Sequence, residues 1–177
     1  GVPQGKALDL WQSGPLDRVT GKVTGSNDDA DTADSDVVII TAGLARKPGM
    51  SRDDLLAKNV AIVKACAESA VKYSPDCFMI VVTNPIDAMV HTAFKVSGLP
   101  RHRIIGMAGV LDSARYRTFL AEAIGVAPQD VSALVMGIHG DNMLPLVRLA
   151  NVGGVPVSEL LSQEQIAAIV KRTQMGG

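Results

Sequence analysis

The chain has 177 residues, 47% of them hydrophobic and 20% charged, with a formal net charge of −1. That apolar content supplies a core and excludes a disordered segment. Near-neutral charge with no basic stripe argues against nucleic acid or an anionic membrane as a partner.

In chain order, residues 4–12 have helical composition, closed by the turn signal Ser13-Gly14-Pro15, and residues 22–24 read as a short strand. Val37-Val38-Ile39-Ile40 is an uninterrupted β-branched run, the pattern of a strand buried on both faces. A polar loop with Pro48-Gly49 leads to Ser51, an N-cap, with Asp54 completing a capping box. Leu56, Val60, Val63, Ala67 and Ala70 then line one face of a long helix that Ser74-Pro75 ends. A second strand over 78–82 closes a βαβ unit with parallel strands. A helix over 86–96 and a strand over 103–105 continue the alternation. After Gly109 the pattern changes to a helix over 111–124, a strand over 131–136, a Gly-flanked loop over 137–140, an extended stretch over 143–149 and a helix over 163–173. The fold class is therefore α/β: a Rossmann-type parallel sheet over 1–107, lacking a first strand and a Gly-rich phosphate loop, then the start of an α+β domain over 108–177. Gly1 in place of methionine, and an end at Gly176-Gly177 directly after a helix, read as an excerpt of a longer chain.

No apolar run approaches the length of a bilayer span. Cys66 and Cys77 have neither metal nor redox spacing and read as reduced thiols, which fits a cytoplasmic protein.

In open α/β sheets, ligands bind at the carboxyl ends of the strands. Three polar clusters fall there: 43–52, Thr83-Asn84 and 139–141. Together with Asp112 and Arg115 on the following helix, they gather one imidazole, one carboxylate and the guanidiniums of Arg46, Arg52 and Arg115. That set suits a small anionic substrate with a carbonyl or hydroxyl group. Arginine matches a carboxylate with two parallel hydrogen bonds, and a neutral imidazole accepts a proton near pH 7. Each residue alone has a plainer reading. His139 between glycines would be a polar loop residue, with Asp141 as a local partner. Arg46 and Arg52 would be solvated charges, Asp112 and Arg115 an exposed ion pair, and Asn84-Pro85 only a turn. His91 and His102 are set aside as non-catalytic, His102 because Arg101 and Arg103 flank it.

Four segments in register carry a specific resemblance. They are Thr41-Ala42-Gly43-Leu44-Ala45-Arg46-Lys47-Pro48-Gly49-Met50-Ser51-Arg52, Thr83-Asn84-Pro85-Ile86-Asp87, Gly106-Met107-Ala108-Gly109-Val110-Leu111-Asp112-Ser113-Ala114-Arg115 and Gly137-Ile138-His139-Gly140-Asp141. The chain resembles, over its whole length, the lactate/malate dehydrogenase family, in the malate dehydrogenase branch most similar to lactate dehydrogenases. The resemblance implies NAD-dependent interconversion of malate and oxaloacetate. It implies His139 as proton donor and acceptor, with Asp112 holding its ring and favouring its charged form. It implies Arg115 on the carboxylate at the reacting end, Arg52 polarising the carbonyl, Arg46 on the second carboxylate and Asn84 touching substrate and cofactor. Asn59, Val82, Thr83 and Asn84 would line the nicotinamide side, with Thr41, Ala42 and Gly43 against pyrophosphate and ribose. The Asn84–Pro85 bond is expected to be cis, no metal is expected, and the parent chain is expected to be a homodimer or homotetramer. Ile138 and Asn142 depart from commoner residues of the family. A lactate dehydrogenase is the near alternative, which Arg46 argues against because lactate has no second carboxylate. A non-catalytic dinucleotide-binding module would keep the Gly-rich loop and lose His139 or Arg115, the reverse of what stands here. The excerpt by itself is expected to be inactive.

Overall fold

A computed structural model describes residues 1–45, 48–140 and 142–176, leaving aside the side chain of Arg52. The β-branched run forms β1 (Val37–Ile40), and β2 (Phe78–Val81) and β3 (Ile104–Gly106) join it in a parallel sheet of order β1-β2-β3. Ile40 lies beside Val81 and Val81 beside Gly106, so the three strands end along one edge. Parallel strands need long crossovers, and helices supply them: α2 (Arg52–Tyr73) joins β1 to β2 and α3 (Ile86–Ser97) joins β2 to β3.

The capping box at the start of α2 is present, with Ser51 Oγ accepting from Asp54 N at 3.0 Å and the Asp54 carboxylate accepting from Ser51 N at 3.3 Å. The Ser51 hydroxyl, and then its backbone N–H, hold the Asp54 carboxyl below its ordinary value. The predicted apolar stripe is the buried face: Val63, Ala67 and Ala70 pack with Ile40, Met79, Val81, Met89 and Ala93, and Leu56 and Val60 flank them. Each large side chain in this core contributes about 1.5–3 kcal/mol by leaving water.

One expectation is not met among the described residues, where only one face of the sheet is covered. Ile40, Met79 and Val81 face the helices, while Val37, Ile39, Phe78 and Ile105 are exposed. The strand order advances in one direction, so two right-handed crossovers land on the same side. Two smaller expectations also change. The first helix, α1 (Val2–Asp17), runs through Ser13-Gly14-Pro15 and ends only where Arg18 turns left-handed and donates its N–H to Gly14 O. Proline forfeits a single helical hydrogen bond there, in the last turn, where little helix remains to break. Residues 22–24 form no strand, because no described strand lies alongside to pair with them.

The second half packs its own core. It comprises α4 (Gly109–Ile124), β4 (Val131–Ser132), β5 (Val135–Gly137), β6 (Met143–Pro145), β7 (Asn151–Val152), β8 (Val155–Pro156), α5 (Val157–Leu160) and α6 (Gln163–Gln174). Tyr116, Leu120, Val131, Val135, Met143 and Ile169 are its centre. The single strand predicted over 131–136 is two: β4 pairs antiparallel with β7, and β5 with β6. The inward alternation of Val131, Ala133 and Val135 is kept across the break, and only the pairing partner changes. The stretch after β6 turns into a 3-10 turn over Val147–Leu149 instead of staying extended. Gln174 Nε2 donates to Met143 O at 3.1 Å, tying α6 to β6.

Candidate active site

The loops after β1 and β2 are held together by buried polar side chains. Asn59 on α2 is 1% exposed. Its Oδ1 accepts from Leu44 N at 2.8 Å, and its Nδ2 donates to Leu44 O at 3.2 Å and to Asn84 O at 2.8 Å. Thr83 Oγ1 donates to Ala42 O at 2.7 Å. Gly43 is required at this crossing, since a Cβ there would meet Thr83 Cγ2 at 2.4 Å. Thr41, Ala42, Gly43 and Asn84 are exposed, whereas Thr83 is buried. The Asn84–Pro85 bond is cis. The Asn59 amide is thus committed to the backbones of the two loops it joins.

The second cluster stands on α4. Asp112, read alone as half of an exposed ion pair, is 2% exposed. Its two oxygens have different partners. Oδ2 lies 2.7 Å from His139 Nδ1, and Oδ1 accepts from Arg115 Nη1 at 3.1 Å. An ionised carboxylate has only acceptors to offer, so it holds Nδ1 as the protonated ring nitrogen and leaves Nε2 as the one that exchanges protons with a ligand. Arg115 spends one N–H here, and its other donors make no hydrogen bond among the described residues. His139 reaches Asp112 from the turn after β5, which leaves the strand through Gly137 at a φ of 90°.

His139 lines a cavity of about 270 Å³ with Ile86, Asp87 and Val90 of α3, the glycines Gly106 and Gly109, Ala108 and Gly137. The cavity lies between the end of β3, the start of α3 and the His turn, so both halves of the chain contribute to it. A second cavity of about 220 Å³ runs beside β1 past Ile40, Thr41, Ala42 and Cys66. Cys66 and Cys77 are free, and burial pushes both thiols up from their ordinary value. The His139–Asp112 pair borders the first cavity and the exposed strand ends sit beside the second.

Arg46 and Asp141 lie outside the described residues, as does the side chain of Arg52. His91 and His102 are exposed. No group of three or more His, Cys, Asp or Glu side chains among the described residues is arranged to hold a metal ion. The motifs did not single out Ser113, one residue beyond Asp112. Its Oγ accepts from Val135 N at 2.9 Å. Nothing in its spacing marks it, because its partner is a backbone group of a remote strand.

Comparison with known proteins gives the following. Residues 1–106 match the family described as lactate/malate dehydrogenase, NAD binding domain. Residues 109–177 match lactate/malate dehydrogenase, alpha/beta C-terminal domain. A malate dehydrogenase of Chlorobium phaeovibrioides is 57% identical over 177 residues, which are 100% of this chain and 57% of that protein. The chain thus spans 57% of the length of that curated relative. The apo structure of malate dehydrogenase from Picrophilus torridus superposes with a TM-score of 0.95 at 48% identity, over 100% of this chain and 56% of that one. A Cryptosporidium parvum lactate dehydrogenase, complexed with lactic acid and nicotinamide adenine dinucleotide, superposes at 0.91 with 50% identity, over 98% of this chain and 56% of that one.

Proposed function

Because this chain belongs to the lactate/malate dehydrogenase family, we propose that it carries the proton-handling and substrate-binding residues of an NAD-dependent enzyme interconverting (S)-malate and oxaloacetate. The contact that carries this reading is His139 Nδ1 to Asp112 Oδ2 at 2.7 Å, with Arg115 on the same carboxylate. His139 Nε2 takes the hydroxyl proton of malate and returns it to the carbonyl oxygen of oxaloacetate, while Asp112 keeps the ring oriented. Arg115 turns its remaining donors to the carboxylate beside the reacting carbon, in the two-bond geometry that guanidinium favours. Arg52 polarises the substrate carbonyl and Arg46 takes the far carboxylate; both roles rest on the family resemblance. Residues 1–107 are assigned to the cofactor domain and 108–177 to the substrate domain.

NAD, when bound, supplies the hydride acceptor. The strand ends support its binding, with Val82, Thr83 and Asn84 on the nicotinamide side and Thr41, Ala42 and Gly43 against pyrophosphate and ribose. Thr41, Ala42 and Gly43 present exposed backbone at the carboxyl edge of a parallel sheet, and Val82, Thr83 and Asn84 lie beside them. Asn59 fixes both segments from behind. No Gly-x-Gly-x-x-Gly run for the pyrophosphate occurs in the sequence.

The exposed apolar side chains of α1 (Leu8, Trp11 and Leu16), and Val110 and Leu111 at the start of α4, support assembly as a homodimer or homotetramer. No described helix is long and apolar enough to cross a membrane, and a cytoplasmic setting is part of the proposal.

The similarity to a lactate dehydrogenase at 50% identity supplies a second reading, and substrate choice separates the two. A buried second carboxylate needs a cation, and a cation facing a methyl group is left unpaired. Paired kinetics on oxaloacetate and pyruvate, for the full-length enzyme and its Arg46→Gln variant, test this. The parent should prefer oxaloacetate by several orders of magnitude in kcat/KM, and the variant should lose most of that preference. A parent that prefers pyruvate, or a variant with the parent's ratio, overturns the malate assignment.

A further inference from the structure

We propose that Ser113 is a positioning residue that sets the distance between His139 and Asp112; the part of this inference that concerns turnover rests on the function proposed above. Val135 opens β5, four residues before His139. Its register partner in β6 is Pro145, and the β5–β6 ladder leaves the Val135 N–H turned toward α4. There it is buried and donates to Ser113 Oγ at 2.9 Å. Ser113 is itself buried, at 9% exposure, and Val135 at 4%.

Two consecutive residues of one helix turn thus hold the two ends of the segment 135–139. Ser113 fixes where the strand starts, and Asp112 receives the imidazole that the strand delivers. Between them the chain passes Gly137, paired with Met143 at the end of the ladder and turned out of it at a φ of 90° that glycine adopts without a steric penalty. A loop with a glycine pivot does not by itself hold an imidazole at 2.7 Å from a carboxylate. A buried hydrogen bond at its base does, because breaking it strands a backbone donor away from water. The backbone of α4 approaches the same strand residue closely: a Cβ on Gly109 would stand 3.6 Å from Val135 O. Helix and strand therefore run within about one methyl group of each other here, and the Val135 N–H, buried at Ser113, has the serine hydroxyl as its partner.

The test uses Ser113→Ala and Ser113→Thr in the full-length enzyme, each with histidine ring nitrogens labelled for NMR. Ser113→Ala should broaden or shift the hydrogen-bonded Nδ1–H signal of His139. It should lower kcat roughly tenfold to a hundredfold, with KM for NADH held within about twofold because the strand ends that meet NAD lie elsewhere. Ser113→Thr keeps a hydroxyl at the same position and should restore both the signal and kcat. An unchanged His139 signal in Ser113→Ala refutes the proposal. So does a Ser113→Thr variant as impaired as Ser113→Ala, which would assign the effect to packing. If the parent turns over neither malate nor oxaloacetate, the functional proposal fails while the His139 signal still decides the role of Ser113.

Discussion

Replacing Asp112 by asparagine is the perturbation whose consequence the structure fixes most tightly. The side chain is 2% exposed, and both oxygens are engaged by donors, one from His139 and one from Arg115. Asparagine is nearly isosteric, so no cavity opens, and the effect is electronic. Its amide has two orientations, each of which fails at one contact. With the amide oxygen toward His139, the NH2 group faces Arg115 Nη1 across what is now a 3.1 Å contact, donor against donor. A charge-assisted bond worth about 1.5–3 kcal/mol is then lost. With the NH2 toward His139, Nδ1 must accept, the ring hydrogen moves to Nε2, and the nitrogen facing the cavity has no lone pair for the malate proton. Either outcome removes about 2–4 kcal/mol of transition-state stabilisation, so kcat/KM for malate oxidation should fall by roughly 30-fold to 10³-fold. The assay is NADH formation by the full-length enzyme, with circular dichroism to establish an unchanged fold. A variant within a factor of about three of the parent would refute the reasoning, and Asp141 would become the next residue to test.

Other expectations follow from single contacts. The hydroxyl of Tyr116 is fully buried without a hydrogen-bond partner among the described residues, and burial pushes its pKa up to about 12. The native state therefore holds the neutral phenol while the unfolded chain ionises near pH 10. Stability should be intact below that pH and fall as pH rises toward 12. In denaturant titrations Tyr116→Phe should cancel this alkaline loss and change neutral-pH stability by no more than about 1 kcal/mol; an unaltered alkaline slope would count against the burial argument. Asn59→Ala breaks the three hydrogen bonds to Leu44 and Asn84 and should cost about 2–4 kcal/mol in urea unfolding while raising KM for NADH; a variant as stable as the parent would show the amide bridge to be dispensable. The 177-residue chain by itself should give no measurable NADH turnover with oxaloacetate, for want of a phosphate-binding glycine loop; robust turnover with tight NADH binding would contradict this.

Local patterns survived translation into structure where the cause is local. The capping box at Ser51 and the stripe from Leu56 to Ala70 are set by hydrogen bonds and periodicity within one turn or two, and both are present. The βαβ order follows from alternation and the handedness of crossovers. What sequence did not reveal depends on partners. The run 37–40 is apolar on both faces, yet only one face is covered among the described residues, since coverage belongs to whatever packs there. The stretch 131–136 shows its alternation but not its change of pairing partner between β4 and β5. At the site, the pairing of His139 with Asp112 was implied by the resemblance of four segments in register, whereas the residues alone offered an exposed Asp112–Arg115 pair and Asp141 as a local partner of His139. Ser113 was not legible, since a hydroxyl accepting from a strand N–H leaves no pattern.

The two halves of the site are built on different principles, and this bears on how they act together. Asp112, Ser113 and Arg115 stand within four positions on α4, a rigid helix seated in the second core through Tyr116 and Leu120. His139 joins them from the turn after a strand of that same core, so the contacts Val135–Ser113 and His139–Asp112 both lie within the second half. On the other side, Thr41, Ala42, Gly43 and Asn84 belong to loops at strand ends, fixed from behind by Asn59 and Thr83, which answer to the first core. The cavity at His139 is where these two independently braced units meet, lined by Ile86, Asp87 and Val90 from one and by Gly137 and His139 from the other. A small shift between the cores would therefore alter the distance from the loops after β1 and β2 to the imidazole while leaving the 2.7 Å His139–Asp112 contact intact. The contact between imidazole and carboxylate is thus set inside one core, and the opposite wall of the cavity is set by the other, so the orientation of the ring and the width of the cavity are fixed by separate sets of contacts.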